Sequence, residues 1–363
     1  MKPSFPRRTT KQLLIGGVRV GGGAPVVVQS MTKTPTHDAA ATVAQIKRLE
    51  KAGCEIVRLA VPDRRAAEAL SAIKKRVSIP VIADIHFDHR LALAALRAGV
   101  DGLRLNPGTI GPKEGVRRVV AAARELGVPI RIGVNSGSLE KRLLARYGGA
   151  TAEAMAESAL GHIRLLEDLG FDLIKVSLKA SDVVRTVDAY RLLADKVPYP
   201  FHLGITEAGN LESGVIKSSV GLGILLSEGL GDTIRVSLTS PPEDEVRVAY
   251  AILQSLGLRS RGVNFITCPT CGRVEVDMMR YAAAISRRLR SIRVPLTVAL
   301  MGCTVNGPGE AREADVGIAC GRRSGALFKK GKLVRRIEEN RIVDELVAEA
   351  KKLAAEKSKA KGS

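Results

Sequence analysis

The sequence has no tryptophan, and aromatic residues make up only 3% of it. Proteins that grip single-stranded nucleic acid by stacking its bases need aromatic platforms, so that mode of binding is set aside. All five histidines lie at or before residue 202, so nothing beyond that point could complete a zinc site of mixed Cys and His ligands. Asparagine and glutamine number only six and four, which beside many Arg and Glu fits a thermophilic source. No apolar run is long enough to span a bilayer, and the opening "MKPSFPRRTTKQ" holds no apolar signal region, so the expected setting is the cytoplasm. Five cysteines, an odd number in a reducing compartment, are expected as ligands or core residues and not as disulfides.

What the chain has in excess is positive charge: 57 Lys and Arg against 37 Asp and Glu give a net +20. That balance suits an anionic small molecule, an acidic protein partner or nucleic acid, and composition alone does not choose among them. With 363 residues, 45% of them hydrophobic, two domains of packed α/β character are expected. Eight β-branched runs stand out: 26–31, 55–60, 80–85, 102–107, 129–135, 172–178, 201–206 and 233–238. Helix-like segments alternate with them, as at 40–53, 67–76 and 91–99, several closed by a C-capping glycine. Eight such units in roughly 240 residues match a TIM (β/α)8 barrel, which usually takes about 250. A doubly wound sheet is less favoured, because no glycine phosphate fingerprint follows the first strand. "GGVRVGGGAP" (16–25) lacks the GxxxxGK[ST] pattern and reads as turns.

The barrel is assigned to residues 1–257. After its last helix (242–257) the rhythm changes to strands at 263–267, 295–301 and 315–320, with helices at about 275–291 and 341–355. These make a small α/β domain over 262–356. Residues 357–363 read as a fraying basic tail.

Chemistry in a TIM barrel sits at the carboxyl ends of the strands. The polar residues found there are Arg58, Asp84 with His86, Arg104 with Asn106, Arg131 with Asn135, Lys175 and Lys179, His202 with Thr206 and Glu207, and Arg235 with Ser237. Five of the eight strands thus bring a cation to one rim, where only an anion, of two phosphates or more, would offset their repulsion. The competing reading is that some of these cations pair with Asp or Glu. Glu207 could transfer protons there, or be an acid at the start of the next helix. Asp84, His86 and Asp88 could suggest a metal site, but hydrogen bonds to substrate hydroxyls are preferred, because Asp84 and His86 alternate onto one face while Asp88 already falls in the following loop.

Cys268 and Cys271 form a C-x2-C pair, with Cys303 further on in "MGCTVNGPGEA". Zinc held by these three plus Cys320, or an iron–sulfur cluster held by three thiolates and another ligand, both remain open. The cluster is favoured because no second cysteine flanks Cys303, and because glycine and proline beside it let backbone N–H groups approach sulfur. Cys320 and Cys54 sit in apolar surroundings and read as buried core residues.

At this point "CPTCGR", "MGCTVNGPGEAREAD", "ADIHFD", "LRLNPG", "RIGVNSGSLE", "VSLKASD", "HLGITEAG" and "DTIRVSLT" taken together resemble the bacterial two-domain 4-hydroxy-3-methylbut-2-enyl diphosphate synthases, in order from about residue 10 to 350. The resemblance implies a TIM barrel, a small domain carrying one 4Fe-4S cluster per subunit, and reductive opening of 2-C-methyl-D-erythritol 2,4-cyclodiphosphate. It implies Cys268, Cys271, Cys303 and Glu310 as cluster ligands. Arg58, Arg104, Arg131, Lys179, Arg235 and Ser237 become diphosphate contacts, with Asn135 nearby and Glu207 as the proton-handling acid. Lys175 competes with Lys179 for the phosphate role.

Two partners follow. A 16-residue helix covers about 24 Å and returns the chain to the barrel face opposite the mouth. The cluster domain is therefore expected to cap the barrel of a second subunit in a reciprocal homodimer. No flavin or nicotinamide motif is present, so a small acidic carrier, ferredoxin or flavodoxin, is expected to bring electrons to the basic surface. The rival from another class is a basic RNA-binding module stapled by four-cysteine zinc, which the low aromatic content and the rim cations disfavour.

Overall fold

The computed structural model describes residues 5–360, and the chain divides into two compact units between Arg259 and Ser260. The first begins with a small antiparallel hairpin, β1 (Leu13–Ile15) and β2 (Val18–Val20). Its two-residue turn, Gly16-Gly17, has positive φ at both positions, the geometry that matches the twist of the flanking strands. The expectation of turns throughout 16–25 is corrected here, because Val18–Val20 is a strand.

Eight parallel strands follow: β3 (Val27–Met31), β4 (Ile56–Ala60), β5 (Val81–Asp84), β6 (Gly102–Leu105), β7 (Ile130–Asn135), β8 (Ile174–Lys179), β9 (His202–Leu203) and β10 (Thr233–Ile234). Their order around the sheet is β8-β7-β6-β5-β4-β3-β10-β9, and a bridge between Val176 and Phe201 joins the two ends into a barrel. All eight expected strands exist, but β9 and β10 are far shorter than the six-residue runs. Beyond Leu203 the chain passes tight against its neighbours: a Cβ on Gly204 would lie 2.6 Å from the Arg235 carbonyl oxygen.

Alternation sorts the side chains. In β7 and β8, Ile130, Ile132, Val134, Ile174, Val176 and Leu178 join the large apolar core, while Arg131, Asn135, Lys175, Ser177 and Lys179 take the opposite, inward set of positions. At the amino end of the barrel, Val27, Ile56 and Ile82 form a separate cluster with Leu13, Ile15 and Val20, so the hairpin plugs that end with apolar groups. Aspartates that close the loops at the mouth cap the next helices: Asp38, Asp63, Asp88 and Asp182 accept from Ala41, Ala66, Arg90 and Arg185 backbone N–H groups. The last barrel helix, Pro242–Ser255, leads to Arg259, whose guanidinium holds Glu55 at 2.6 Å and the Val26 carbonyl at 2.7 Å.

The second unit is a five-stranded sheet. β11 (Val263–Thr267), β12 (Leu296–Met301) and β13 (Val316–Gly321) are parallel, and β14 (Ser324–Lys329) and β15 (Lys332–Glu338) add as an antiparallel hairpin. The hairpin escaped the sequence reading because β15 is an edge strand with only Ile337 buried, so it shows no apolar alternation. The final helix, Ile342–Lys359, runs past the expected end. Residues 357–359 are therefore helix and not tail: the Lys357 ammonium holds Asp315 at 2.8 Å. Of the rest of the expected tail, Ala360 caps this helix and 361–363 lie outside the described residues. No helix among the described residues is long and apolar enough to cross a membrane.

Candidate active site

A pocket opens at the carboxyl ends of the barrel strands, lined by Arg58, Asp84, His86, Arg104, Arg131, Asn135, Ser177, Lys179, Thr206, Arg235 and Ser237. Each comes from an inward position of its strand or from the residues just beyond it. Parallel register sets Asp84 beside Arg104, Arg104 beside Arg131, and Asn135 beside Lys179. Glycines clear the space these long side chains need: a Cβ on Gly133 would meet the Arg104 Nε at 2.4 Å, and one on Gly204 would meet the Lys179 Nζ at 2.7 Å.

Five cations share this pocket with one lining carboxylate. Asp84 stands 3.4 Å from the Arg58 Nε, 3.2 Å from the Arg104 Nη1 and 3.4 Å from the His86 Nε2. Burial disfavours its charge, but Arg58, His86 and Arg104 together hold its carboxyl far below the ordinary range. A second carboxylate, Glu245 of helix Pro242–Ser255, sits behind the wall. It accepts from the Leu238 N–H and Ser30, and lies 3.6 Å from the Arg235 Nη2. The pairing reading therefore holds for Arg58, Arg104 and Arg235, and Asp84, still lining the pocket, is held by two of these arginines.

Arg131 is different. It is buried, and its Nε and Nη1 have no hydrogen-bond partner. Burial, then the charges of Arg58 and Arg104, press its pKa well below the ordinary value. Lys179 is pushed down likewise, by burial and then by Arg131, Arg58, Arg235 and Arg104. Arg58, even with Asp84 beside it, is lowered to about 10, chiefly by burial. Such a ring is complementary to a polyvalent anion and to little else.

Two candidates are not brought to the pocket. His202 is fully buried, its Nδ1 2.7 Å from Thr233 Oγ1, and does not line the cavity. The expected substrate contact by His202 is thus corrected: β9 places it a step deeper in the barrel. Glu207 lies exposed just past Thr206 with φ 51, a left-handed conformation that is uncommon for any residue but glycine. Of the competing lysines, Lys179 lines the pocket and Lys175 does not. Asn106 uses its Oδ1 to accept the Gly133 N–H. Asp88 is a helix cap. Ser177 was missed, although it lies between Lys175 and Lys179 on the same inward face.

In the second unit, Cys268 follows β11 and donates its N–H to the Leu300 carbonyl of β12, and Cys303 follows β12 itself. Both therefore lie at the carboxyl ends of adjacent strands, with Cys271 exposed three residues after Cys268. The Cys303 thiol is drawn below its ordinary value, first by the Val305 N–H, then by the Asn306 N–H and Arg273. Glu310 is exposed in the first turn of helix Gly307–Glu313, which packs on β12 and β13. Among the described residues, no three His, Cys, Asp or Glu side chains stand close enough to share a single metal ion. Cys320 is fully buried in the apolar core, where burial pushes its thiol up to about 12; Cys54, buried in the barrel, is raised to about 12 in the same way.

A parallel barrel whose mouth is built for a polyanion, followed by a unit with thiols gathered at one sheet end, defines a two-domain barrel enzyme of small anionic substrates. Family profiles resolve the class further: residues 10–250 match the GcpE TIM-barrel domain and residues 264–352 the GcpE protein C-terminal domain. The chain belongs to the GcpE family, the 4-hydroxy-3-methylbut-2-en-1-yl diphosphate synthases of isoprenoid biosynthesis. It is 62% identical to the "4-hydroxy-3-methylbut-2-en-1-yl diphosphate synthase (flavodoxin)" of Geobacter sulfurreducens, over 96% of this chain and 99% of that one. The enzymes of the same name from Caldanaerobacter subterraneus and Thermodesulfovibrio yellowstonii are 55% and 57% identical, over 96% and 95% of this chain and 99% of each of theirs.

The Asp84 geometry yields a stability prediction. Asp84→Asn leaves Arg58 and Arg104 buried without their carboxylate, which is expected to cost about 3 kcal/mol near neutral pH, read as a lower urea midpoint. Because the folded-state pKa of Asp84 is depressed, its contribution is complete above the unfolded carboxylate pKa and is lost as the pH falls. Wild type and variant should therefore converge in acid; equal midpoints at neutral pH would contradict this account.

Proposed function

We propose that the chain converts 2-C-methyl-D-erythritol 2,4-cyclodiphosphate to (E)-4-hydroxy-3-methylbut-2-enyl diphosphate in the cytoplasm. Two electrons and two protons enter, a ring carbon–oxygen bond opens, and a water leaves. The observation that carries this reading is the buried cation ring, and Arg131 above all, whose Nε and Nη1 have no hydrogen-bond partner among the described residues. Arg58, Arg104, Arg131, Lys179 and Arg235 hold the diphosphate, with Ser237 and Asn135 as neutral donors at the rim. His86, with its ring half exposed and its Nε2 2.8 Å from the Arg104 Nη1, is the group offered to a substrate hydroxyl, while Asp84 fixes the two arginines it touches. Glu207, at the edge of the mouth, is the group offered for protonating the departing hydroxyl.

The donors of the second unit fit an iron–sulfur cluster. Three soft sulfur donors lie at or just beyond one sheet end, and the Val305 and Asn306 N–H groups favour the thiolate of Cys303, as donors to cluster sulfur do. Cys268, Cys271, Cys303 and Glu310 would hold one 4Fe-4S cluster. When bound, it would supply electrons one at a time. Glu310, a carboxylate and so a harder donor than the three thiolates, would be the most readily exchanged of the four ligands. Flavodoxin, named for the relatives, or ferredoxin is the donor that a surface of +20 suits.

We also propose a homodimer in which each cluster domain caps the partner's barrel. Arg259, the last residue of the barrel unit, is tied to Val26 and Glu55 at the amino ends of β3 and β4, opposite the pocket. The chain therefore leaves the first unit at the barrel end away from the pocket.

Purified without oxygen, the full chain is expected to be brown, absorbing broadly near the blue, and Glu310→Ala is expected to keep part of that absorbance but lose turnover. A colourless zinc protein, or full turnover by the variant, would overturn the cluster assignment. Mixed dimers of Arg131→Met and Cys303→Ser chains should recover part of the activity that each homodimer lacks; no recovery would place the site within one chain.

A further inference from the structure

Beneath the cation pocket and above the apolar plug lies a tier of polar side chains that the proposed chemistry leaves unused. Along β3, Val27 belongs to the plug and Gln29 is the next inward position. Along β8, Lys175 precedes Ser177 and Lys179 of the pocket and stands in register with Arg131 of β7. On β9, His202 pairs with Thr233, which in turn pairs with Val27. Gln29, Lys175 and His202 are each at least 99% buried. Among the described residues, neither amide atom of Gln29, nor Lys175 Nζ, nor His202 Nε2 has a hydrogen-bond partner.

Orphaned polar groups of this kind are costly, and a buried ammonium without a counter-ion most of all. The charged groups facing Lys175 and His202 are Arg58, Arg131, Lys179 and Asp232. Three of the four are cationic. The fourth, Asp232, is taken on its other side by Arg7 at 2.8 Å and by the Phe201 N–H at 2.9 Å. Burial first, and then these cations, lower the proton affinity of both Lys175 and His202. In the free enzyme burial and these cations thus disfavour the charged form of both, and Asp232, the carboxylate facing Lys175, is already engaged.

We propose that Lys175 and His202 form a hidden second tier of the anion site, taking up protons from solvent when a diphosphate seats in the pocket above them. The inference rests on the reading of that pocket as a diphosphate site. A seated polyanion cancels the repulsion from Arg58, Arg131 and Lys179, and the newly charged tier then adds attraction from below. Binding thereby favours the protonated form of both groups, so affinity for the anion rises as the pH falls. Lys175 is thereby a binding determinant that never touches the ligand.

The test is calorimetric titration of the anaerobic full-length holoenzyme with inorganic diphosphate near pH 8, free of divalent metal, in Tris and in HEPES. The heats of buffer protonation differ, so the two enthalpies report protons exchanged. The ligand's own ionisation is common to all variants, so the difference from wild type is what is read. Lys175→Met is expected to take up fewer protons, by on the order of one per site, and to bind about tenfold more weakly. Its melting temperature without diphosphate should equal or exceed that of wild type, because a costly orphan has been replaced by an apolar chain of similar length. His202→Gln should remove a further share of the uptake. Uptake unchanged in both variants would overturn the inference while leaving the diphosphate site standing. A lower melting temperature for Lys175→Met would overturn it too, since the amine would then have a partner in the free enzyme. No binding of diphosphate by wild type would overturn both the inference and the site.

Discussion

Repulsion among cations packed inside a barrel is the constraint on which the rest of this structure depends. Arg58, Arg104, Arg131, Lys179 and Arg235 share one small opening, and among the described residues only Asp84 and Glu245 form ion pairs with them. Buried like charges are tolerated only where the surrounding framework is stiff enough to hold them. That stiffness has identifiable sources: apolar outward faces on β7 and β8, a hairpin plug that seals the amino end, and aspartate caps on the helices after β3, β4, β5 and β8. Gly133 and Gly204 give the cations room by omitting side chains where the Arg104 and Lys179 heads must lie. The framework thus stores an unfavourable arrangement that an anion relieves, which is a form of preorganised binding.

Much of this was legible in the chain because a strand repeats every two residues. "PIRIGVN" sends isoleucines and valine outward and arginine and asparagine inward, and the parallel register then lines up cations that are distant in sequence. Depth was not legible. His202 and Lys175 share the inward parity of the pocket residues, and only the stagger of neighbouring strands decides that they stop below the pocket floor. Pairing was only half legible. The sequence offered Asp84 as a hydroxyl contact, whereas two arginines converge on it. Glu245 gave no signal at all, since an acid in the first turn of a helix is ordinary. In the second unit, β14 and β15 were lost because exposed charges on an edge strand hide its alternation, although Lys330-Gly331, both with positive φ, mark their turn.

The two units divide the chemistry by the hardness of their donors. Nitrogen cations in the barrel suit phosphate oxygens; sulfur at the end of the second sheet suits iron. Cys320 shows how local environment separates cysteines of equal sequence appeal. It sits among Ile318, Leu327 and Ile342 with its thiol raised to about 12, whereas Cys303 meets backbone N–H donors that favour thiolate. The chain leaves the barrel at the end tied by Arg259, so connection between the two chemistries is a question of assembly as well as of fold.

The claim that the barrel mouth is a strained cation ring awaiting a polyanion is tested most directly by equilibrium urea unfolding of the full chain, with and without inorganic diphosphate and with inorganic monophosphate at equal concentration. The account predicts that diphosphate at about a hundred times its dissociation constant adds roughly 2.7 kcal/mol to the stability of the barrel, and that monophosphate adds much less. Equal stabilisation by the two anions, or none by either, would contradict it.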